Sequence, residues 1–252
     1  MNQNQWRWRD SVLTCDLLAD WQHGFFTRSH APKLPSDLHD HLASSGRAYR
    51  AKQVHGNRLI HANEIETASD DTSLPEADGV WATRDENKHG NHSVWVCTAD
   101  CVPVLIGDRK LGSVAAVHAG WRGTASGIVT KAITMLCDRG SDLKDLRVAL
   151  GPAISGKVYQ VSEDVAQQVT ATINQPVGLH EDDHPQKVKL DLRQVQVQQL
   201  QELGMPIENV AIAPYCTLQN EEIFFSYRRY FLNAANPRPR VPQVQWSGIA
   251  IA

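Results

Sequence analysis

Residues 93–127 read SVWVCTADCVPVLIGDRKLGSVAAVHAGWRGTASG. Two runs here, SVWVCTADCVPVLIG and LGSVAAVHAG, are rich in Val, Ile and Leu, the composition of strands buried on both faces. The second run ends in a histidine, His118, then passes into glycines, Trp121 and Arg122. Behind it TASGIVTKAITMLCDRG reads as a helix. Thr124 can cap it, Ile128, Ala132 and Leu136 recur every four residues, and Gly140 can end it. Strand, strand and helix follow one another without strict β-α-β alternation, which predicts an α+β layered domain. No G-x-G-x-x-G follows a strand, and no glycine loop ends in Lys-Ser/Thr, so a nucleotide-binding doubly wound fold is disfavoured.

Working outward, LRVALGPAI (146–154) reads as a strand entering a glycine-proline turn. Ser162 opens a helix in SEDVAQQVTATI, and a second helix is expected from Asp191 to Gly204. NVAIAPYCT (209–217) and EIFFSYRRYF (222–231) look like late strands, and WSGIAIA (246–252) like a final one. Loops are expected at 29–40, 68–79 and in the proline-rich 236–243.

The chain has 252 residues, 42% of them hydrophobic and 21% charged, which suits one domain spanning 1–252. A net charge of −3 offers no field for nucleic acid or an anionic membrane. No apolar run reaches the ~20 residues needed to span a bilayer. The N-terminus MNQNQWRWRDSV lacks a signal-peptide core, so a soluble, cytoplasmic protein is expected. The five cysteines are too few and too scattered for a disulfide framework, and reduced thiols are expected.

Three short stretches carry candidate chemistry: KQVHGN with His55, TADCVPV with Cys101, and AVHAGWRG with His118. Two imidazoles and a thiolate suit a catalytic zinc centre, which keeps a fourth position open and acidifies bound water. Their spacing is not that of a local zinc finger, so the fold must assemble them. If Val94 to Leu105 were one strand, Cys97 and Cys101 would share a face about 13 Å apart. Both could not hold one ion. Cys101, beside Asp100 and Pro103 where a bend is expected, is the better ligand. Cys97 reads as core, Cys137 and Cys15 as core or surface, His89, His92, His180 and His184 as solvated loop residues, and the H-x-H pair His39/His41 as polar surface.

Seven segments in unbroken order (HGFFTR, KQVHG, ADGVWATR, VCTADCVPVLI, AAVHAGWRGTASGIV, LGPAISGKVYQV and FFSYRR) resemble the laccase-domain or YfiH-like family, also called the multicopper polyphenol oxidase or peptidoglycan editing factor family. The resemblance implies a single four-layer α-β-β-α sandwich, similar to cysteine hydrolases, with zinc ligands at His55, Cys101 and His118. It also implies phosphorolysis of adenosine, inosine, guanosine and methylthioadenosine, and deamination of adenosine. The partners would then be a nucleoside and phosphate, in a monomer or homodimer. A multicopper oxidase needs several H-x-H pairs, and this chain has one, so hydrolysis or phosphorolysis fits better, although copper can occupy the same N and S ligands.

Roles follow from that resemblance. Asp100 either orients a ligand and moves a proton or caps a turn. Arg122 would bind phosphate or a ribose oxygen, with Arg28, Arg228 and Arg229 as further phosphate candidates, one of the last two being structural. Gln53 would hydrogen-bond base or sugar, and Trp121 would stack on the base or fill the core. The chain lacks the family's G-G-V-S stretch after F-x-T-R and its C-terminal T-G-R-M-A, two segments that bear on substrate choice. A cysteine hydrolase using Cys101 and His118, a phenol oxidase, and a non-catalytic binder are the competing readings.

Overall fold

The computed structural model describes residues 5–65, 73–84, 92–232 and 243–251. Among these, two six-stranded sheets carry the architecture. The first runs in the order Trp6–Arg9, Val12–Cys15, His23–Phe26, Gln245–Ala250, Ser93–Thr98, Ala48–Tyr49. The second runs Val210–Ile212, Leu146–Leu150, Val102–Asp108, Val114–Ala119, Gly79–Ala82, Leu59–His61. Pairing is antiparallel except for Ala48–Tyr49 in the first sheet and the two outermost pairs of the second. A small third sheet joins Gln160–Ser162, Lys187–Leu190 and Leu179–His180.

SVWVCTADCVPVLIG proves to be two strands in different sheets. Ser93–Thr98 belongs to the first and Val102–Asp108 to the second. Asp100, at φ 88°, breaks the extended backbone between them. Cys97 and Cys101 therefore never share a strand, and the turn falls one residue before Cys101.

Strand alternation explains the stacking. Along Val114–Ala119, Val114 and Ala116 face the first sheet and meet Leu13, Phe25, Val94 and Ile249. Ala115 and Val117 face the other way, onto the helices Ile128–Asp138 and Leu192–Glu202. Both faces are buried, so the strand reads as continuously apolar. A one-residue slip would exchange the two faces, and with each large aliphatic side chain contributing about 1.5–3 kcal/mol on burial, the packing holds the register. The outer face of the first sheet, with Phe26, Trp95 and Trp246, is covered by Leu38 and Leu42. The expected α+β layering is present. On this fourth side the cover among the described residues is thin: a one-turn helix, Pro35–Leu38, and the 3₁₀ turn His39–His41.

Ser162 and Asp191 cap their helices as expected: the Ser162 hydroxyl accepts from Val165 N–H, and the Asp191 carboxylate from Arg193 and Gln194. Three expectations change. The helix after His118 begins at Trp121, not Thr124, and Thr124 lies inside its first turn with its hydroxyl donating to the Gly120 carbonyl. That short helix, Trp121–Ala125, is capped at Ser126, and Ile128–Asp138 starts afresh after Gly127 (φ 69°). Residues 222–231 form a turn and the helix Tyr227–Leu232 instead of a strand, because Asp100 accepts a hydrogen bond from the Arg228 amide in its first turn. His39 is buried rather than solvated, with its ring nitrogens bonded to the Ser93 hydroxyl and the Ser45 carbonyl. Most of the proline-rich 236–243 segment, His89 and residues 68–72 lie outside the described residues.

Candidate active site and metal centre

Register brings two of the candidate ligands together. Val102 pairs with Ala119 and Pro103 with His118, so Cys101, just before one strand, comes beside His118 on its neighbour at one end of the second sheet. Alternation turns His118 to the same face as Ala116, toward the first sheet. The third ligand comes from a turn. His55 has φ 61°, a left-handed conformation that a non-glycine residue adopts only when its surroundings hold it there.

Asp78 holds it. This carboxylate, at the start of the strand Gly79–Ala82, is 1% exposed. It accepts backbone N–H bonds from Val54 (3.2 Å), His55 (2.9 Å) and Gly56 (2.7 Å). Its Oδ1 also lies 2.8 Å from His118 Nδ1. An ionised carboxylate only accepts, so His118 Nδ1 carries the proton and Nε2 is left free to bind. One side chain thus fixes the turn bearing His55 and the tautomer of His118.

The ligand atoms of His55, Cys101 and His118 all lie within 4.8 Å of one another, the one such cluster among the described residues. The two imidazole rings stand perpendicular with centroids 4.8 Å apart. His118 is buried, Cys101 half-buried and His55 exposed, so the cluster opens on the His55 side. Burial alone would raise the Cys101 thiol, but the His118 charge and hydrogen bonds from both histidines outweigh it and bring the thiol down. Burial alone would lower His118, but the charges and hydrogen bonds of Cys101 and Asp78 raise it. A thiolate and two imidazoles at this separation fit a zinc or copper ion with a position left open.

Gly120 keeps the space. Its backbone is ordinary (φ −74°), but a Cβ there would stand 2.8 Å from Cys101 Sγ and 3.5 Å from His55 Cδ2. Gly120→Ala is therefore expected to displace the thiolate, lowering the bound metal well below one ion per chain by elemental analysis. The same overpacking costs about 1–3 kcal/mol of stability.

The other candidates separate. Asp100 is spent on holding the chain: it accepts from Thr217 Oγ1 (2.6 Å), Ser226 Oγ (3.0 Å) and Arg228 N (2.7 Å). Of its two readings the geometry supports the turn-capping one, and Asp78 has the orienting position. Gln53 bonds through both amide atoms to the Cys97 backbone, at 2.8 Å each. Arg28 donates to the Glu221 carbonyl. Arg229 ties down the Phe224, Thr217 and Leu218 carbonyls, so it is the structural member of the adjacent pair. Arg228 donates to the Gln160 carbonyl and lies 5.2 Å over the Tyr159 ring. Arg122 is exposed, with its guanidinium 4.3 Å from the Trp121 ring centroid. Trp121 is half-buried against the helical core and supports that arginine.

Two residues here were missed. Asp78 lies in a quoted segment, ADGVWATR, and the need of a ligating histidine for a carboxylate on its other nitrogen could have singled it out. Tyr159, in VYQV, is raised to about 12, first by burial and then by the Cys101 charge, so its hydroxyl stays protonated beside the cluster.

Two sheets in an α+β domain, with a His-Cys-His cluster that could hold a metal ion at the end of one of them, point to the laccase-like class. The model of the multi-copper polyphenol oxidoreductase laccase family matches residues 36–234, and the chain belongs to that family. It is 43% identical to a purine nucleoside phosphorylase of Synechocystis, over 99% of this chain and 98% of that one. It is 35% identical to a purine nucleoside phosphorylase of Mycobacterium bovis over 70% of this chain and 65% of that one. Its fold is similar to that of the hypothetical protein YfiH from Bacillus licheniformis, with a TM-score of 0.78 and 24% identity over 99% of this chain and all of that one. YlmD from Geobacillus stearothermophilus aligns at a TM-score of 0.76 and 22% identity, over 98% of each chain.

Proposed function

We propose that the protein is a cytoplasmic, zinc-dependent purine nucleoside phosphorylase that also deaminates adenosine. The observation that carries this reading is the His55–Cys101–His118 cluster, open to solvent and followed four residues on by an exposed arginine, Arg122. The full-length similarity to a protein named purine nucleoside phosphorylase supports the choice of substrate. The free state of all five cysteines suits a reducing compartment. No helix among the described residues is long and apolar enough to cross a membrane.

His55, Cys101 and His118 would hold the ion, and a bound zinc supplies Lewis-acid polarisation of a substrate oxygen or nitrogen. In phosphorolysis a phosphate oxygen bonds to ribose C1′ as the C1′–N9 bond breaks, and the base leaves with the electron pair and takes up a proton. Arg122, permanently charged and forked, binds the phosphate and sets its line of approach. Tyr159, kept protonated, donates a hydrogen bond to the substrate. In deamination, water adds at the purine C6 and ammonia leaves, with no phosphate involved.

The test is purified protein incubated with adenosine, inosine, guanosine or methylthioadenosine plus phosphate, with chromatography of the free bases. Turnover that is lost on chelation and restored by zinc supports the reading. No turnover on any of the four overturns it, and phenol oxidation by the copper-loaded protein would put the oxidase reading in its place. Arg122→Ala is expected to reduce phosphorolysis about 10–100-fold, mainly through the KM for phosphate, while deamination persists. Arg122→Lys restores charge but not the fork and recovers only part of the loss.

A second reading has its own observation. Cys101, His118 and Asp78 form a thiolate–imidazole–carboxylate series, the arrangement of a cysteine nucleophile with an oriented base. It predicts activity that chelators spare and that Cys101→Ser abolishes.

A further inference from the structure

A cavity of about 880 Å³ lies beside the first sheet. Neither His55, Cys101 nor His118 lines it. Its walls belong to the outer face of the first sheet, where Phe26, Cys97 and Trp246 pack. The volume falls within the range of sites for small organic ligands.

The walls are already built. Gln245 accepts from the Phe225 amide at 2.8 Å and donates back to its carbonyl, which pins Phe225. Gln53 pins Cys97 in the same way. Two of the three lining amides, Gln53 and Gln245, are thus consumed by the scaffold, and Gln243 is the third. Two aromatic walls are each backed by an arginine: Arg28 lies 5.0 Å from the Phe225 ring and Arg50 lies 5.6 Å from that of Trp246. Leu34 and Leu38 supply the aliphatic side.

The charge is one-sided. Lys33, Arg50 and Lys52 line the cavity, and none of the described lining residues is acidic. Lys52 pairs with Glu76 at 2.9 Å, but Glu76 lies outside the lining. An apolar, aromatic enclosure ringed by cations favours a ligand with a flat apolar body and a negative group.

We propose that this cavity is a second ligand site, separate from the His-Cys-His centre, that binds a small organic anion with a flat apolar body. The aromatic walls receive the body, and Lys33 meets the charge.

The test uses the full chain and two fluorescent probes of like shape, the anionic 8-anilinonaphthalene-1-sulfonate and the uncharged N-phenyl-1-naphthylamine. The anionic probe is expected to bind saturably, one per chain, and to be retained in the presence of inosine and phosphate. Lys33→Glu should weaken it a few-fold and leave the uncharged probe unchanged. Leu34→Trp, at a half-exposed position, should weaken both by filling the space. Lys33→Gln, at the same exposed position, should weaken the anionic probe less, which reads the charge without reversing it. Unchanged affinity of the anionic probe in the charge variants overturns the proposal. So does its displacement by inosine, which would assign the cavity to the nucleoside site. Because the readout is binding, absence of purine turnover leaves this result standing on its own.

Discussion

Cys101→Ala yields a folded chain that holds no zinc and turns over nucleosides at least ~10³-fold more slowly, a loss of ~4 kcal/mol in transition-state stabilisation. Folding should persist because the turn at this position is held by its neighbour. Asp100 carries the hydrogen bonds to Thr217, Ser226 and Arg228, and Cys101 itself is only half-buried. Two imidazoles remain after the substitution, too few donors to hold zinc against water at ordinary concentration. Cys137→Ala, on the helix Ile128–Asp138, serves as the control and should keep both metal and activity. Elemental analysis of the purified variants, read beside turnover, separates the outcomes. A Cys101→Ala protein with a full complement of zinc would remove Cys101 from the ligand set. Loss of zinc without loss of turnover would remove the metal from the reaction. Loss of turnover in Cys101→Ala, where the wild type has been shown to work without metal, would favour the thiol nucleophile.

The fold was legible where burial dictated composition. Val102–Asp108 and Val114–Ala119 are apolar on both faces, and helices cover one side while a second sheet covers the other. Ser162 and Asp191 announced their helices because a cap is a local event. What depends on distant partners was not legible. Nothing near Asp100 in the chain says that it will accept from Thr217 and Ser226, more than a hundred residues away, and those bonds convert an apparent strand at 222–231 into a turn and helix. The candidate ligands were legible through the motifs and came together in one cluster. The arginines were not separable in advance, because a guanidinium that binds phosphate and one that binds carbonyls look alike in sequence. Arg229 and Arg28 proved to serve the backbone, whereas Arg122 faces solvent. Asp78 was hidden for the same reason as Asp100: its value lies in what folds onto it.

That makes Asp78→Asn the sharper probe of how the centre is held. The carboxylate takes four donors: three backbone N–H groups through both oxygens, and His118 Nδ1. An asparagine replaces one acceptor by a donor, which must then face an N–H or the protonated ring nitrogen. Such a mismatch in a buried position costs about 1–3 kcal/mol, and loss of the carboxylate behind a ligating histidine costs about 10–100-fold in metal affinity. Competition with a chelator measures the latter. A purely structural role would end there. Asp78 also raises His118, and the His118 charge in turn lowers the Cys101 thiol. Removing the carboxylate makes the imidazolium harder to form and the thiolate less favoured, so in metal-free protein the ultraviolet thiolate band should titrate at higher pH. The sign for stability follows. A thiol held below its ordinary value contributes stability above that value and loses it as pH falls through the folded-state value. In Asp78→Asn this contribution should shrink, and so should the opposite one from His118, which is raised and adds stability that is lost as pH rises. An unshifted thiolate titration would reduce Asp78 to a fastener of the His55 turn. A shifted one, with chelator competition weakened in step, would show one carboxylate setting both the shape and the charge of the centre.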